Sequence, residues 1–544
     1  MKRKSEESKP ADPDPEEKAR REYLKTVGAL IAGLAVGGAA AWFGKPRETV
    51  EKTVTTTVTG PGATVTLPGA TVTVPGPTVT VTAPAVEGLA EKRRELAQKY
   101  ANAKPGDKFL VGYVTWTLAQ EAPKYDYQAS DQAARQLGLD FRGIEIGTEA
   151  LKAVEATDSL IAAGAKGISY WAPATAAMEE IVRICEENKV FASTAWCIDP
   201  NLLPGDRGPY WFLEFSTMAD EMSFHNMTLL FEKMRKYGKK KVLHVQGSNV
   251  IAPAGNALVN QGIGIAWQRY PEMQLLGHYW GEFYYPGGRK AGEDALAART
   301  DYEALWGQND DQAMGTASVF EEKGIEIGPF AASRDAIVAC TTRVADGTWF
   351  ITSLTEFQYF GGKRVTAIYD AATGYSYPLR DEMLQSPWVT TILNMTDPKI
   401  KAENEELIKN SGLWWHRNFV VTDASKLLDF LKISEVYPTR EYPYDFRLMS
   451  VGKSKELGLT YDRHAGNYLT ANDYYNIPLM SRFKVTDDRT AGRNLEEYRK
   501  QFSLWMDLFL NFNIDTHEDF MRRLASAQVA GLKIDPFWGG PELL

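Results

Sequence analysis

The chain has 544 residues, of which 44% are hydrophobic and 24% are charged, and its formal net charge is -9. This ordinary globular composition excludes a collagen-like or wholly disordered chain, and the length allows two to four domains. An acidic chain without a basic block is unsuited to binding nucleic acid, because phosphate neutralisation supplies most of that affinity. Three cysteines exclude a disulfide scaffold, and the six histidines lack metal-ligand spacing, so no metal or other cofactor is predicted.

The N-terminal segment, residues 1–47, has the features of an export signal or a membrane anchor. Residues 20–25 (Arg-Arg-Glu-Tyr-Leu-Lys) resemble the twin-arginine export motif, and an apolar run rich in Gly and Ala covers residues 26–44. The run is about long enough to span a bilayer of ~30 Å, and the basic residues before it favour a cytoplasmic N-terminus. The segment predicts an exported protein, at the cell surface or in the periplasm, that contacts the membrane here. Cleavage of the signal stays open.

Residues 48–85 form the next segment, a stretch dominated by Thr, Val, Pro, Gly and Ala. A seven-residue unit repeats over Pro61–Leu67, Pro68–Val74 and Pro75–Val81. The alternation of Thr and Val suits a β-strand, but a Pro-Gly at the start of each unit cuts the strands short. We predict an extended stalk, with a small β-structure as the alternative.

From residue 107 onward, apolar strands alternate with amphipathic helices. The predicted strands are Lys108–Val114, Phe141–Ile146, Gly167–Trp171, Val190–Thr194, Lys241–Val245, Gln274–Tyr279, Glu303–Trp306 and Ile325–Gly328. The predicted helices are Tyr127–Leu137, Thr148–Ala163, Thr175–Glu187, Asn256–Arg269, Ala291–Arg299 and Gln312–Lys323. This alternation predicts an α/β chain whose parallel sheets are covered by helices on both faces. Two successive blocks predict two lobes, over residues 86–220 and 221–345, with ligand outside the carboxyl ends of the strands.

Four stretches resemble the sugar-binding class of periplasmic binding proteins, the type I or ribose-binding-protein-like family. They are Ala153–Ala192, Gln261–Pro271, Gly307–Gly315 (Gly-Gln-Asn-Asp-Asp-Gln-Ala-Met-Gly) and Gly347–Gly362. The resemblance implies a two-lobed type I fold that traps a solute between hinged lobes. Under it, residues 346–400 are crossover and return segments, and residues 401–544 are a C-terminal extension.

The resemblance also implies which residues bind a sugar. A sugar offers hydroxyls and apolar faces, and so calls for carboxylates, amides and aromatic rings. By resemblance Asp310 is the sugar-binding carboxylate, although Asp is also a preferred helix N-cap. The other predicted ligand-binding residues lie at strand ends, on the loops after them, or where the family contacts its ligand: Asn309, Trp116, Gln120, Tyr125, Trp196, Gln261, Trp280 and Glu356.

Three positions depart from the pattern of the family. Ala195-Trp196 stands where the ribose-type pattern has an Asp-Arg pair, so a ring replaces a charged pair. Gln261 stands where the family usually has a sugar-binding Arg, and Ala331-Ala332 replaces an Asp-Gly pair after the strand ending at Gly328. These departures point away from ribose and leave the identity of the ligand open.

Residues 401–544 do not share the resemblance. This part is rich in aromatic residues, as in Trp414-Trp415 and Tyr474-Tyr475. We predict an extension that packs on the lobes, and a second carbohydrate-binding surface is the alternative.

The family does not catalyse a reaction, so no enzyme activity and no catalytic residue are predicted. The resemblance implies that the chain captures a sugar or a similar polar small molecule and delivers it to an ABC transporter permease. A surface receptor that senses a ligand with the same fold is one alternative. A carbohydrate-active enzyme is another, but no second carboxylate stands at hydrolytic spacing from Asp310 or Asp311.

Overall fold

The structure is a computed structural model with side chains. It describes residues 53–59, 64–67, 70–73, 78–84, 89–197, 201–216, 219–248, 250–378, 384–385, 389–413, 419–432, 441–462, 500, 503–504 and 517–531. The predicted signal or anchor over residues 1–47 lies outside these ranges. The chain divides into two compact units, Met1–Val86 and Glu87–Leu544.

The first unit contains the threonine-rich repeat. Its strands are β1 (Thr53–Thr59), β2 (Thr64–Leu67), β3 (Ala70–Thr73) and β4 (Thr78–Pro84). β1 pairs with β4 and β2 pairs with β3, both antiparallel. The strands are thus paired with each other, whereas the sequence favoured a single extended chain. The alternation of Thr and Val supplies the strands, and the Pro-Gly dipeptides fall between them. The role of this unit as a stalk stays a prediction.

The second unit opens with the elements of a first lobe. In chain order these are α1 (Leu89–Tyr100), β5 (Leu110–Thr115), α2 (Glu121–Leu137), β6 (Asp140–Glu145), α3 (Ala150–Ala162), β7 (Ala165–Trp171), α4 (Met178–Asn188), β8 (Phe191–Ala195) and β9 (Trp211–Ser216).

A second lobe follows. Its elements are α5 (Ala219–Lys236), β10 (Lys241–Gln246), α6 (Pro253–Arg269), β11 (Gln274–Trp280), α7 (Tyr285–Ala298), β12 (Ala304–Gly307), α8 (Asp310–Glu322), β13 (Ala331–Ala332), α9 (Val338–Ala345) and β14 (Thr352–Leu354).

The remaining elements return to both lobes. They are α10 (Phe357–Ala372), β15 (Leu384–Gln385), β16 (Val389–Leu393), α11 (Pro398–Ser411), β17 (Phe419–Asp423), α12 (Ala424–Leu431), α13 (Phe446–Met449), α14 (Val451–Glu456) and α15 (His517–Val529).

Each lobe is built on its own sheet. The first lobe has six parallel strands in the order β15-β9-β8-β7-β5-β6. The second has four parallel strands in the order β11-β10-β12-β13, and a three-stranded sheet β14-β16-β17 joins it through bridges at Ala332–Ile351 and Asp335–Leu354. The central strands are almost wholly buried, as expected for a parallel sheet with helices on both faces. The predicted two-lobed α/β architecture is confirmed.

The chain crosses between the lobes where β9 is followed by α5, and again where β14 is followed by α10. After the second crossing α10 packs against α2, β7 and β8 of the first lobe. A Cβ atom on Gly361 would lie 2.1 Å from the carbonyl oxygen of Asp126, so only glycine permits this close approach of α10 to α2. This crossing lies inside the segment 346–400 that the sequence predicted for it.

One predicted strand differs from the structure, and three predicted boundaries fall within or beside its elements. The predicted strand Ile325–Gly328 is wrong: Gly328–Phe330 forms a turn of 3₁₀-helix, and the strand is β13, after Pro329, which has no N–H for a ladder. The predicted start of a C-terminal extension at residue 401 falls inside α11, and β17 and α12 still belong to the second lobe. The predicted domain boundary at residue 220 falls within α5, and the one at residue 345 falls before β14.

No helix among the described residues combines the length and the apolar character that a membrane span requires.

Candidate functional site

A cleft lies between the two lobes at the carboxyl ends of their strands. The space between its walls, including the part open to solvent, is about 510 Å³. The residues that line it are Trp116, Gln120, Ala122, Pro123, Trp171, Ala172, Trp196, Ile251, Ala252, Gly255, Phe283, Gln308, Asn309, Arg334, Asp335 and Phe357. Half of them lie at or shortly after the carboxyl ends of β5, β7, β8, β12 and β13, the place where open α/β sheets bind ligands.

The structure brings four of the nine predicted binding residues to this cleft: Trp116, Gln120, Trp196 and Asn309. The other five predicted residues are absent from its lining: Tyr125, Gln261, Trp280, Asp310 and Glu356. Four of the predicted residues therefore share this cleft and five lie elsewhere, and which residues bind a ligand stays a prediction.

Aromatic side chains form most of the apolar wall. Trp116, Trp171 and Trp196 come from the first lobe, and Phe283 comes from the second. The Trp171 ring packs edge-on against Phe357, with 4.9 Å between the ring centroids. Such faces can stack on the C–H side of a sugar ring or on another flat ligand.

Most polar groups of the cleft already have protein partners. Asn309 Nδ2 donates to the carbonyl oxygen of Phe283 (3.0 Å), and Asn309 Oδ1 accepts the N–H of Gln312 (3.1 Å) as an N-cap. Gln120 Nε2 donates to the same Phe283 oxygen (3.0 Å), and Gln308 Oε1 accepts the N–H of Gly247 (2.8 Å). These bonds fix the amides in place, which prepares the cleft for binding before any ligand arrives.

Three buried N–H donors of the lining have no acceptor within the described part of the chain. They are Trp116 Nε1, Gln308 Nε2 and Arg334 Nη1. A buried donor without a partner costs about 1–3 kcal/mol. A ligand that carries oxygen acceptors would relieve that cost, so these donors favour a hydroxylated or carbonyl-bearing ligand.

Arg334 and Asp335 supply the charges of the cleft. Arg334 Nε donates to the carbonyl oxygen of Gln308 (3.1 Å), and its guanidinium lies 5.6 Å from the Trp196 ring centre. Asp335 Oδ1 accepts the hydroxyl of Thr355 (3.1 Å). Burial raises the pKa of Asp335, and the charge of Arg334 opposes that shift. The pair balances in charge, which suits a neutral ligand.

The sequence missed this pair because it placed the preceding strand too early. The strand is Ala331–Ala332, and Asp335 and Ala336 follow its last residue by three and four positions. Both have positive φ, 110° and 52°, a backbone conformation that glycine adopts most easily. The departure from the family pattern at Ala331-Ala332 stays a prediction.

Asp310 lies behind the cleft and is fully buried. Its carboxylate accepts the hydroxyls of Ser333 (2.5 Å) and Thr352 (2.8 Å) and the N–H of Ile337 (3.0 Å). Burial, helped by the nearby charge of Asp335, raises the pKa of Asp310 to about 8. These contacts tie α8 to the segments around β13 and β14, and they occupy the oxygens that the sequence had assigned to a sugar.

We expect Asp310→Asn to flatten the pH dependence of stability. The folded pKa of about 8 exceeds the unfolded value of ~3.9, so the folded state binds the proton more tightly. The free energy of unfolding should then fall as pH rises from about 4 to 8. Because asparagine does not titrate, urea unfolding at pH 5 and pH 8 should differ less in the variant. Equal pH dependence in both proteins would contradict this role.

The other predicted residues outside the cleft have structural surroundings. The Tyr125 hydroxyl donates to Glu121 Oε2 (2.6 Å), and the Trp280 ring packs edge-on against His278 at 5.7 Å. Gln261 is buried in α6, and Glu356 is the buried residue before α10. None of the four lines the cleft. The sequence did not show the direction of these side chains, and their role in binding a ligand stays a prediction.

The lobes contact each other around the cleft. The carboxylate of Glu121, on α2, accepts the N–H of Val338 at the start of α9 (2.7 Å). The Trp116 ring of the first lobe packs edge-on against Tyr284 of the second, with 4.6 Å between centroids. Together with the bond from Gln120 to Phe283, these contacts hold the lobes closed over the cleft.

The described part of the chain contains neither a metal-binding cluster nor a disulfide bond. There, no group of three or more His, Cys, Asp or Glu side chains is placed to hold a metal ion. Cys185, Cys197 and Cys340 are buried free thiols.

Some lining residues had a readable signal in the sequence. Trp171 ends a predicted strand, and the strand-end rule that selected Trp116 would have selected it as well. Phe283 and Phe357 had no such signal, because they lie on loops or at a helix start whose direction only the fold decides.

Comparisons with known proteins give similarity to solved structures alone. No protein-family model matches the sequence, and no curated protein matches it. One similar structure is a twin-arginine translocation pathway signal protein from Burkholderia phytofirmans, with 16% identity, a TM-score of 0.49, and coverage of 56% of this chain and 94% of that chain. A second is a periplasmic sugar-binding protein from Pseudomonas fluorescens, with 16% identity, a TM-score of 0.48, and coverage of 65% and 96%. A third is the periplasmic binding component of an arabinose ABC transporter from Shewanella sp. ANA-3, with 18% identity, a TM-score of 0.46, and coverage of 56% and 97%.

Proposed function

We propose that this chain is an exported solute-binding protein that captures a sugar or a similar neutral polar molecule for uptake by an ABC transporter. The observation that carries the proposal is the cleft between the lobes, whose lining combines three tryptophans from strand ends with the oppositely charged Arg334 and Asp335. A closed cleft of this kind surrounds a small ligand on both sides, and lobes joined by crossing segments can open to release it.

The chemistry of the lining favours a sugar over a purely apolar ligand. Aromatic faces bind the C–H faces of a ring, the unpartnered donors bind its oxygens, and Asp335 accepts its hydroxyl protons. Because Arg334 and Asp335 neutralise each other, a charged ligand would leave one of them uncompensated.

Binding suits the site better than hydrolysis. A glycosidase needs two carboxyl groups that flank the scissile bond, about 5–10 Å apart. Asp335 is the sole carboxylate among the described lining residues, and Asp310 has its oxygens occupied by protein donors. The cleft therefore supports capture of a solute without chemical change.

We also propose that the chain reaches the outside of the cell through residues 1–47, by the twin-arginine route, and is held at the membrane there. The support is the Arg-Arg-Glu-Tyr-Leu-Lys stretch followed by a mildly apolar run. The twin-arginine route exports folded proteins, and it therefore suits a large two-lobed body that folds before export.

Replacing Arg20 and Arg21 together by lysine should leave precursor inside the cell, because this motif depends on the arginine pair. The measurement is the share of the chain found outside the cytoplasm, and replacement of Lys2 and Arg3 is the matched control. Normal export of the double lysine variant would contradict the twin-arginine route and favour a general secretion signal.

A panel of monosaccharides should raise the melting temperature of the full chain if one of them fits the cleft. A ligand at about 100 times its dissociation constant stabilises the folded state by ~2.7 kcal/mol. The panel should include pentoses, hexoses, their uronic acids and inositol, with purine nucleosides as a second class. Stabilisation by a uronic acid alone would contradict the neutral ligand proposed here.

The same screen with Trp116→Ala and Trp280→Ala separates the cleft from the rest of the lobe. Both variants lose an indole after a strand, but Trp116 alone lines the cleft. We expect the shift to vanish or weaken for Trp116→Ala and to persist for Trp280→Ala. An equal loss in both variants would contradict the location of the site.

A further inference from the structure

The cleft residue Trp196 has an unusual backbone. It follows β8 directly and has φ of 64°, in the left-handed region that non-glycine residues avoid. This conformation is costly for a residue with a Cβ atom and persists where the surroundings enforce it. Some other group must therefore hold the turn at the end of β8.

Glu214, on the neighbouring strand β9, is that group. Its Oε1 accepts the backbone N–H of Trp196 (2.5 Å), and its Oε2 accepts the hydroxyl of Thr194 (2.6 Å). The Thr194 oxygen in turn accepts Trp211 Nε1–H (2.9 Å). The carboxylate is thus held on both oxygens by β8, the strand next to its own.

Glu214 is almost fully buried and does not line the cleft. Burial raises the pKa of its carboxyl, whereas the bonds from Thr194 and Trp196 and the charge of Arg364 oppose that shift. Burying a carboxyl group at this position is costly. An apolar side chain would avoid that cost, but it could not accept the Trp196 N–H and the Thr194 hydroxyl.

The Trp196 ring reaches across the cleft to the second lobe. A Cβ atom on Gly255 would lie 3.1 Å from the ring, and the Arg334 guanidinium lies 5.6 Å from the ring centre. The ring therefore forms a wall of the cleft and a contact between the lobes at once. A shift of the turn at β8 would move both.

We propose that Glu214 is the positioning residue of the cleft: it holds the backbone of Trp196 in the left-handed turn and so directs the indole towards the ligand and Arg334. Its effect on ligand affinity rests on the proposed solute-binding function. Its effect on the indole does not, because the turn exists without a ligand.

Fluorine NMR of the full chain labelled with 5-fluorotryptophan tests the position of the ring without a ligand. The Trp196 resonance is the one lost in Trp196→Phe. We expect Glu214→Ala to shift or broaden that resonance. Glu214→Gln should restore it, because the amide oxygen can accept the Trp196 N–H while its NH₂ donates to Thr194.

Asp370→Asn is the matched control for general loss of stability. Asp370 is a buried carboxylate that accepts the hydroxyl of Ser450 (2.6 Å) and the N–H groups of Val451 (2.9 Å) and Gly452 (2.8 Å), and it does not line the cleft. Its variant should leave the Trp196 resonance in place. An unmoved resonance in folded Glu214→Ala, or an equal shift in Asp370→Asn, would overturn the proposal. Should Glu214→Ala not fold, Glu214→Leu replaces it in the same comparison.

Binding of L-arabinose, D-ribose and D-galactose gives the second measurement. Where a sugar binds, Glu214→Ala should weaken it roughly tenfold, as Trp196→Ala does, and the double variant should lose no more than Trp196→Ala alone. Additive losses would show that Glu214 acts by another route. Absence of binding by every sugar would count against the solute-binding function, whereas the NMR result would still decide the role of Glu214.

Discussion

Asp335→Asn is expected to weaken sugar binding roughly ten- to a hundredfold, because a hydrogen bond to a charged group contributes about 1.5–3 kcal/mol. Asp335 is the carboxylate that lines the cleft, and the hydroxyl of Thr355 orients one of its oxygens. Asparagine has nearly the same shape and tolerates positive φ, so the loss should appear in affinity more than in stability. The measurement is titration calorimetry with the monosaccharide that stabilises the full chain most.

Asp310→Asn is the matched control for this prediction. The two aspartates lie in the same lobe, and each follows a strand segment closely, but the oxygens of Asp310 are bonded to Ser333, Thr352 and Ile337. We expect Asp310→Asn to change affinity by no more than a few fold. The opposite result, with affinity lost in Asp310→Asn and kept in Asp335→Asn, would restore the assignment made from the sequence.

These two aspartates also show what the sequence could not decide. Both match the expectation of a carboxylate near a strand end, and the resemblance favoured Asp310. What separates them is the set of donors that reach Asp310 from residues 23 to 42 positions away in the chain. No local pattern contains that information, because it depends on how β13 and β14 pack beside α8.

The fold was more readable than the site. Strands such as β5 and β8 are short apolar runs between helices, which predicts a parallel sheet directly. Helix α10 was not predicted, because all but one of its residues are buried and it lacks the polar face on which a helical period depends. The same limit applies to the site. The sequence indicated where strands end, but it did not indicate the directions of side chains or the position of the strand near Pro329.

The ion pair of Arg364 and Asp126 in the first lobe should have the largest effect on stability. Both side chains are 0% exposed, and the guanidinium on α10 bonds the carboxylate on α2. Arg364 Nε also donates to the hydroxyl of Ser169 (2.9 Å), and Tyr113 donates to the same Asp126 oxygen (2.8 Å). The cluster therefore joins the helix that follows the lobe crossing to the central sheet.

Arg364→Leu is expected to lower the free energy of unfolding by about 3–5 kcal/mol, because it leaves the Asp126 carboxylate buried without a countercharge. Burial already raises the pKa of Asp126, and Arg364 opposes that shift, so the pKa should rise further in the variant. A carboxyl with a raised folded pKa contributes stability below its unfolded pKa and loses it as pH increases. The variant should accordingly regain stability when urea unfolding is measured at pH 5 instead of pH 8.

The double variant Asp126→Asn with Arg364→Leu separates the charge from the packing. It lacks the uncompensated carboxylate, so it should be more stable than Arg364→Leu at pH 8 and should show less recovery at pH 5. If the double variant were no more stable than the single one, the loss would come from the missing contacts of the arginine with Ser169 and the Trp171 ring, whose centre lies 5.9 Å from the guanidinium. A loss below about 1 kcal/mol in Arg364→Leu would show that the pair does not stabilise the lobe, since buried pairs broken on one side normally cost several times that amount.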